Sequence, residues 1–74
     1  MKTETVLLVH STTHAIHFEK QFSLAGIACQ MAPVPRQLSS DCGVCVRFAS
    51  ADRPRVQAIV DESRIEIQAL IDLV

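Results

Sequence analysis

The sequence predicts an α+β fold of the ferredoxin-like type, β-α-β-β-α-β, with an antiparallel sheet and two helices on one face. Three observations predict it. Two stretches repeat apolar residues at helical spacing and carry capping residues at their ends. Four others are apolar throughout or alternate in the manner of strands. The six follow one another in the order of the split βαβ arrangement. Seventy-four residues make one small domain, 1–74, with no internal linker, low-complexity run or repeat.

Residues 5–10 (TVLLVH) are β-rich and nearly all apolar, as suits a central strand covered on at least one face. Ser11, Thr12 and Thr13 then supply N-cap candidates. Ala15, Phe18, Phe22 and Ala25 recur at three, four and three residues and share one helical face. Gly26 stands where a helix C′ glycine belongs. Ile27, Cys29 and Met31 alternate with Ala28, Gln30 and Ala32, the pattern of a second strand, which Pro33 ends. Residues 43–49 (GVCVRFA) read as a third strand. Asp52 can cap a second helix, with Pro54 tolerated in its first turn and Val56, Ile59 and Val60 as its apolar stripe. Ile65, Ile67, Ala69, Ile71 and Leu73 alternate without a break, the clearest strand signal in the chain.

Composition narrows the function. At 49% hydrophobic and 20% charged residues, the chain is not of disordered type. A net charge of −1 without a Lys/Arg cluster argues against nucleic acid and against a lipid surface as partners. The lack of Trp and Tyr removes a stacking platform for single-stranded bases. The apolar run at residues 5–9 is too short for a signal peptide or a membrane span, so the sequence reads as cytoplasmic. A small core and a near-zero net charge favour a homo-oligomer joined through a sheet edge or face.

Chemistry concentrates in residues 33–48 (PVPRQLSSDCGVCVRF). Pro33 and Pro35 stiffen a loop, and Arg36 brings a permanent positive charge. Ser39, Ser40 and Asp41 are turn formers. Cys42 is followed by Gly43, which allows positive φ or the close approach of a partner.

The Cys42-Gly43-Val44-Cys45 spacing has three readings. As a dithiol redox pair it would need to open a helix, yet here it runs into a strand, where an odd separation points the two thiols to opposite faces. As half a zinc site it would need two more ligands from His10, His14 and His17, which read better as surface histidines at a helix start. Otherwise Cys42 is a single working thiolate, favoured by Arg36 and opposed by Asp41, while Cys45 and Cys29 are small core residues within apolar strands. The plain alternative is that Cys42 is a half-buried turn residue.

Arg36 and Arg47 could bind an anion, or pair with Asp41 or Glu19. Arg53, Arg55 and Arg64 alternate with acidic residues and read as a solvated face. There is no Ser-His-Asp order and no Gly-rich phosphate loop, and the Asp61-Glu62 pair reads as solvent-facing.

The chain resembles the selenium/sulfur (Se/S) carrier protein-like family of small bacterial domains. The likeness begins at the apolar strand and Ser11-Thr12-Thr13-His14-Ala15, then continues through Glu19 and Ala25-Gly26-Ile27. It is strongest at Pro33-x-Pro35-Arg36-x-Leu38-Ser39-Ser40-x-Cys42-Gly43, followed by Val46-Arg47-Phe48. The resemblance implies carriage of sulfur or selenium on Cys42, with Pro35, Arg36, Ser39 and Gly43 as its loop. Ser40 joins them as a candidate binding residue.

The function expected on these grounds is a carrier or accessory protein, not a turnover enzyme, and one that needs neither cofactor nor metal. Cys42 would hold a persulfide or selenopersulfide between donor and acceptor proteins, and Arg36 would stabilise the thiolate. The competing expectation is a non-catalytic interaction or ligand-binding module.

Overall fold

The computed structural model describes residues 3–38 and 42–73. Ser39, Ser40 and Asp41 of the predicted loop lie outside the described residues. Strand β1 (Glu4–Leu8) leads to helix α1 (Thr12–Leu24), β2 (Cys29–Pro33) and β3 (Val44–Ala49). A 3-10 turn at Ser50–Asp52 enters α2 (Arg53–Ser63), and β4 (Ala69–Leu73) follows. The sheet order is β2-β3-β1-β4, and each neighbouring pair is antiparallel. This is the predicted ferredoxin-like architecture.

The ends of α1 obey local rules, whereas α2 departs from them at both ends, closing on Arg64 in the left-handed region at φ 59° where a glycine would be favoured. Ser11 keeps extended backbone angles and its Oγ accepts the His14 N–H at 3.3 Å, which satisfies one orphan donor of the first turn. Gly26, at φ +81°, turns the chain out of α1, a conformation in which a Cβ would be strained. The Arg55 guanidinium adds a hydrogen bond to the Ala25 carbonyl, closing the C-terminal end of α1. At the start of α2 the departure is Asp52. It occupies the N-cap position of α2, but its side chain caps nothing; its carboxylate lies 3.6 Å from Arg55 instead. The 3-10 turn has already rotated its backbone away from the extended geometry that capping requires.

The last strand is shorter than its alternation suggests. Ile65 and Ile67 pack on the helix-side core, whereas Ala69, Ile71 and Leu73 lie on the opposite face of the sheet. The side-chain alternation is therefore broken near Gln68, whose N–H donates to the Leu8 carbonyl at 2.8 Å. The limit is set by the partner. β1 offers a paired edge only from Glu4 to Leu8, matched to Leu73 through Ala69, and beyond Leu8 the chain turns into α1.

The core lies between sheet and helices. Leu7 and Val9, Val46 and Phe48 face Ala15, Phe18 and Phe22 of α1 and Val56 and Val60 of α2. Phe18 stacks on Phe22 at 5.8 Å between ring centroids, and Phe22 meets Phe48 edge-on at 6.0 Å. The other sheet face is apolar too. Val6, Leu8 and Cys45 are buried there beneath Ala32, Val34, Leu38, Ala69, Ile71 and Leu73.

Candidate functional site: a thiol at the loop end of the sheet

Antiparallel pairing gathers one set of connections at one end of the sheet. The C-terminal end of β1, the β2–β3 loop and the start of β4 meet there, because Leu8 pairs with both Cys45 and Ala69, and Pro33 pairs with Val44. Val34 N–H donates to Gly43 O at 3.1 Å and extends the β2–β3 hairpin toward the loop. The Pro35 carbonyl then accepts the Leu38 N–H at 2.9 Å, closing a tight turn with Arg36 and Gln37 exposed at its tip. Leu38 anchors that turn by packing on the open face of the sheet.

Cys42 sits at this end on the helix side. It is half-buried against the main core, and its Sγ donates toward Val44 O at 3.1 Å and Val9 O at 3.5 Å. A thiol has a single hydrogen, so it serves one of these carbonyls at a time. Val9 lies two residues before the Ser11 cap, which puts the sulfur beside the turn that enters α1. These two carbonyls carried no signal in the sequence, since any residue type supplies a backbone oxygen.

Gly43 is exposed. A Cβ added there would meet nothing within 4 Å, and its φ lies outside the positive region. Its backbone therefore does not demand glycine; what the missing side chain leaves is open space next to Cys42.

The other two thiols are placed differently. Cys45 is fully buried on the opposite face, with its Sγ 3.8 Å from Pro33 O, so the odd spacing does separate it from Cys42. Burial pushes the Cys45 thiol pKa up; Arg47 works against this and the charge of Cys42 adds to it. Cys29 is half-buried at the far end of β2, about 13 Å of strand from Pro33. Its Sγ donates to Glu19 O at 3.6 Å and lies 3.9 Å from Ser23 Oγ. Burial raises its pKa as well, with the Ser23 bond opposing and Glu19 reinforcing. All three cysteines are free thiols.

The arginines divide between the two ends. Arg47 pairs with Glu4 at 2.8 Å, at the end away from Cys42, while Asp41, its other expected partner beside Glu19, lies outside the described residues. Arg53 pairs with Asp72 at 2.6 Å, and Arg55 with Asp52 and the end of α1. Arg53 and Arg55 are thus ties between elements rather than a solvated face. Sequence reading missed this because Asp72 and the Ala25 carbonyl are remote from them in the chain. His14 is half-buried with its Nδ1 enclosed, and exposed His17 packs edge-on to Phe18 at 5.5 Å. Among the described residues, no three of His, Cys, Asp and Glu gather to hold a metal ion.

The fold is α+β, two helices with one four-stranded antiparallel sheet, and Cys42 lies at the loop end of that sheet. The chain belongs to the family described as "Putative Se/S carrier protein-like", which matches residues 4–72. It is also 28% identical over 57 residues to "Uncharacterized protein YtiA" of Escherichia coli (strain K12), across 77% of this chain and 67% of that one. No solved structure matches it. Among the described residues, no helix is long and apolar enough to cross a membrane.

Proposed function

We propose that the protein carries sulfur or selenium on Cys42, receiving it from a donor protein and passing it to an acceptor. The observation that carries this reading is the contrast among three thiols in one small domain. Cys45 is sealed in the sheet, and Cys29 is held against α1 with its pKa raised by burial. Cys42 stands at the loop end beside the open space at Gly43, within the span that matches the family.

The chemistry needs no outside oxidant. The Cys42 thiolate attacks the terminal sulfur of a donor persulfide, R–S–SH. A new S–S bond forms at Cys42, the donor S–S bond breaks, and its electron pair leaves on the donor thiolate. A selenopersulfide transfers in the same way. Transfer to an acceptor repeats the exchange with Cys42 as the leaving thiolate. Arg36 stabilises the anionic sulfur in passage, Pro35 stiffens the loop that presents it, and Ser39 and Ser40 are candidate binding residues beside it.

Before attack, the S–H must leave its carbonyl acceptor and the sulfur must turn outward. Docking of a partner's backbone over Gly43 supplies the occasion. The protein works in the cytoplasm in this reading, where thiols stay reduced.

Intact-mass spectrometry after incubation with a small-molecule persulfide donor tests the reading. The wild-type chain gains the mass of one sulfur atom, and Cys42→Ser gains none. Equal gain by Cys42→Ser would overturn it. An interaction module without transfer chemistry, the other reading, is favoured by the apolar open face of the sheet and predicts no uptake by either protein.

A further inference from the structure

We propose that β4 pairs with β4 of a second copy, joining two sheets edge to edge into one eight-stranded antiparallel sheet with its two-fold axis at Ile71. The pairing pattern identifies which backbone groups are available. Ser50 N–H donates to Thr3 O at 3.1 Å, in register with the β1–β3 ladder. Odd residues of β1 thus turn their backbone groups to β3, and Glu4, Val6 and Leu8 turn theirs to β4. Their partners Leu73, Ile71 and Ala69 are bonded inward, so Leu70 and Asp72 present N–H and C=O groups along the free edge.

The two edges of the sheet differ. β2 ends in Pro33, which has no N–H, and its first residue, Cys29, is bonded to α1 through Glu19 O. β4 (ALIDL) has no proline, glycine or lysine. Its one charge does not guard the edge, because Asp72 is held by Thr5 and by Arg53 on the helix side. An apolar edge without such guards is a template for another strand.

The strand's own sequence favours a second copy as that strand. Centred on Ile71, the antiparallel pair sets Leu70 against the second copy's Asp72 twice over, which forms four backbone hydrogen bonds. The same register opposes Ile71 to Ile71 and Ala69 to Leu73 on the open face, small against large. Centring on Asp72 would oppose two carboxylates. Centring on Leu70 would need the bent backbone at Gln68. The Ile71 register continues the apolar stripe of Val6, Leu8 and Ile71 from one sheet into the next. It leaves Cys42 outside the interface, since Cys42 lies by the β2–β3 loop.

Sedimentation velocity at micromolar concentration tests this. The wild-type chain should run as a dimer. Ile71→Lys and Ile71→Glu should each weaken association roughly tenfold or more, and an equimolar mixture of the two should recover the dimer. A synthetic chain carrying N-methyl-Leu70 removes the outward N–H with the side chain intact, and it should be monomeric while circular dichroism shows it folded. A monomeric wild type overturns the proposal, as does a dimer that survives both the Ile71 variants and N-methyl-Leu70. Failure of the mixture to recover the dimer overturns the Ile71 register.

Discussion

The two ends of the sheet are built on different principles. At one end, Glu4, Arg47, Thr5, Ser50, Asp72 and Arg53 are joined by side-chain bonds across β1, β3, β4 and α2. At the other, a tight turn, an exposed glycine and a half-buried thiol meet the start of α1, and Cys42 Sγ lies within bonding distance of the Val9 and Val44 carbonyls. The first end uses side chains to hold elements together. At the second, among the described residues, backbone hydrogen bonds of Val34, Gly43, Pro35 and Leu38 shape the turn, and Leu38 packs it onto the sheet. Substitutions should therefore cost stability at the tied end and activity at the loop end.

The largest effect should come from Phe22→Ala. Phe22 is fully buried between Phe18 and Phe48, toward the tied end, and its loss should cost about 3–5 kcal/mol. Urea denaturation should find most of the chain unfolded, and a loss below about 1 kcal/mol would contradict the packing described. Thr5→Val comes next. The Thr5 hydroxyl is fully buried, donates to Asp72 and receives Ser50, each at 2.7 Å. Its removal should cost about 1–3 kcal/mol by the same assay.

A pH effect follows from Cys29 and Cys45. Burial raises both thiol pKa values in the folded chain, so the folded state holds these protons more tightly than the unfolded one. Their contribution is fully present below the ordinary thiol value of about 9 and is lost as pH rises through the folded values. Stability should fall above that pH, and Cys45→Ala should flatten the fall although it lowers stability at neutral pH. An unchanged slope would exclude Cys45 as a source.

Glu4→Gln breaks an ion pair whose side chains are 47% and 34% exposed, so about 0–1 kcal/mol is expected, declining with salt. The smallest stability effect belongs to Gly43→Ala, within about 0.5 kcal/mol, because the added methyl enters open space. The same methyl should slow sulfur uptake from a protein donor while leaving uptake from a small persulfide unchanged. Loss of both rates would place the effect on the thiol itself.

The fold was legible because its signals are local. Ser11, Gly26 and the Phe18–Phe22 stripe define α1 without help from the rest of the chain. The start of β4 was not legible, since residues 65–73 alternate smoothly and only the length of β1 cuts the strand at Ala69. The ties of Arg47, Arg53 and Arg55 were hidden for the same reason: their partners are brought near by topology. At the candidate site, the motif pointed to Cys42, and residue spacing separated it from Cys45. The carbonyls of Val9 and Val44 had no sequence signature. Ser39 and Ser40 stand outside the described residues, and their part in the loop rests on the motif.

Position-resolved sulfur loading tests the central claim most directly. Two variants are incubated with the same persulfide donor, and the added sulfur is located by tandem mass spectrometry. One keeps only Cys42 (Cys29→Ala with Cys45→Ala), and the other keeps Cys29 and Cys45 (Cys42→Ala). The account predicts one sulfur per chain on Cys42 in the first variant, at the wild-type rate, and none in the second. Sulfur on Cys29 or Cys45 at a comparable rate, or none on Cys42 in a variant shown to be folded, would contradict it.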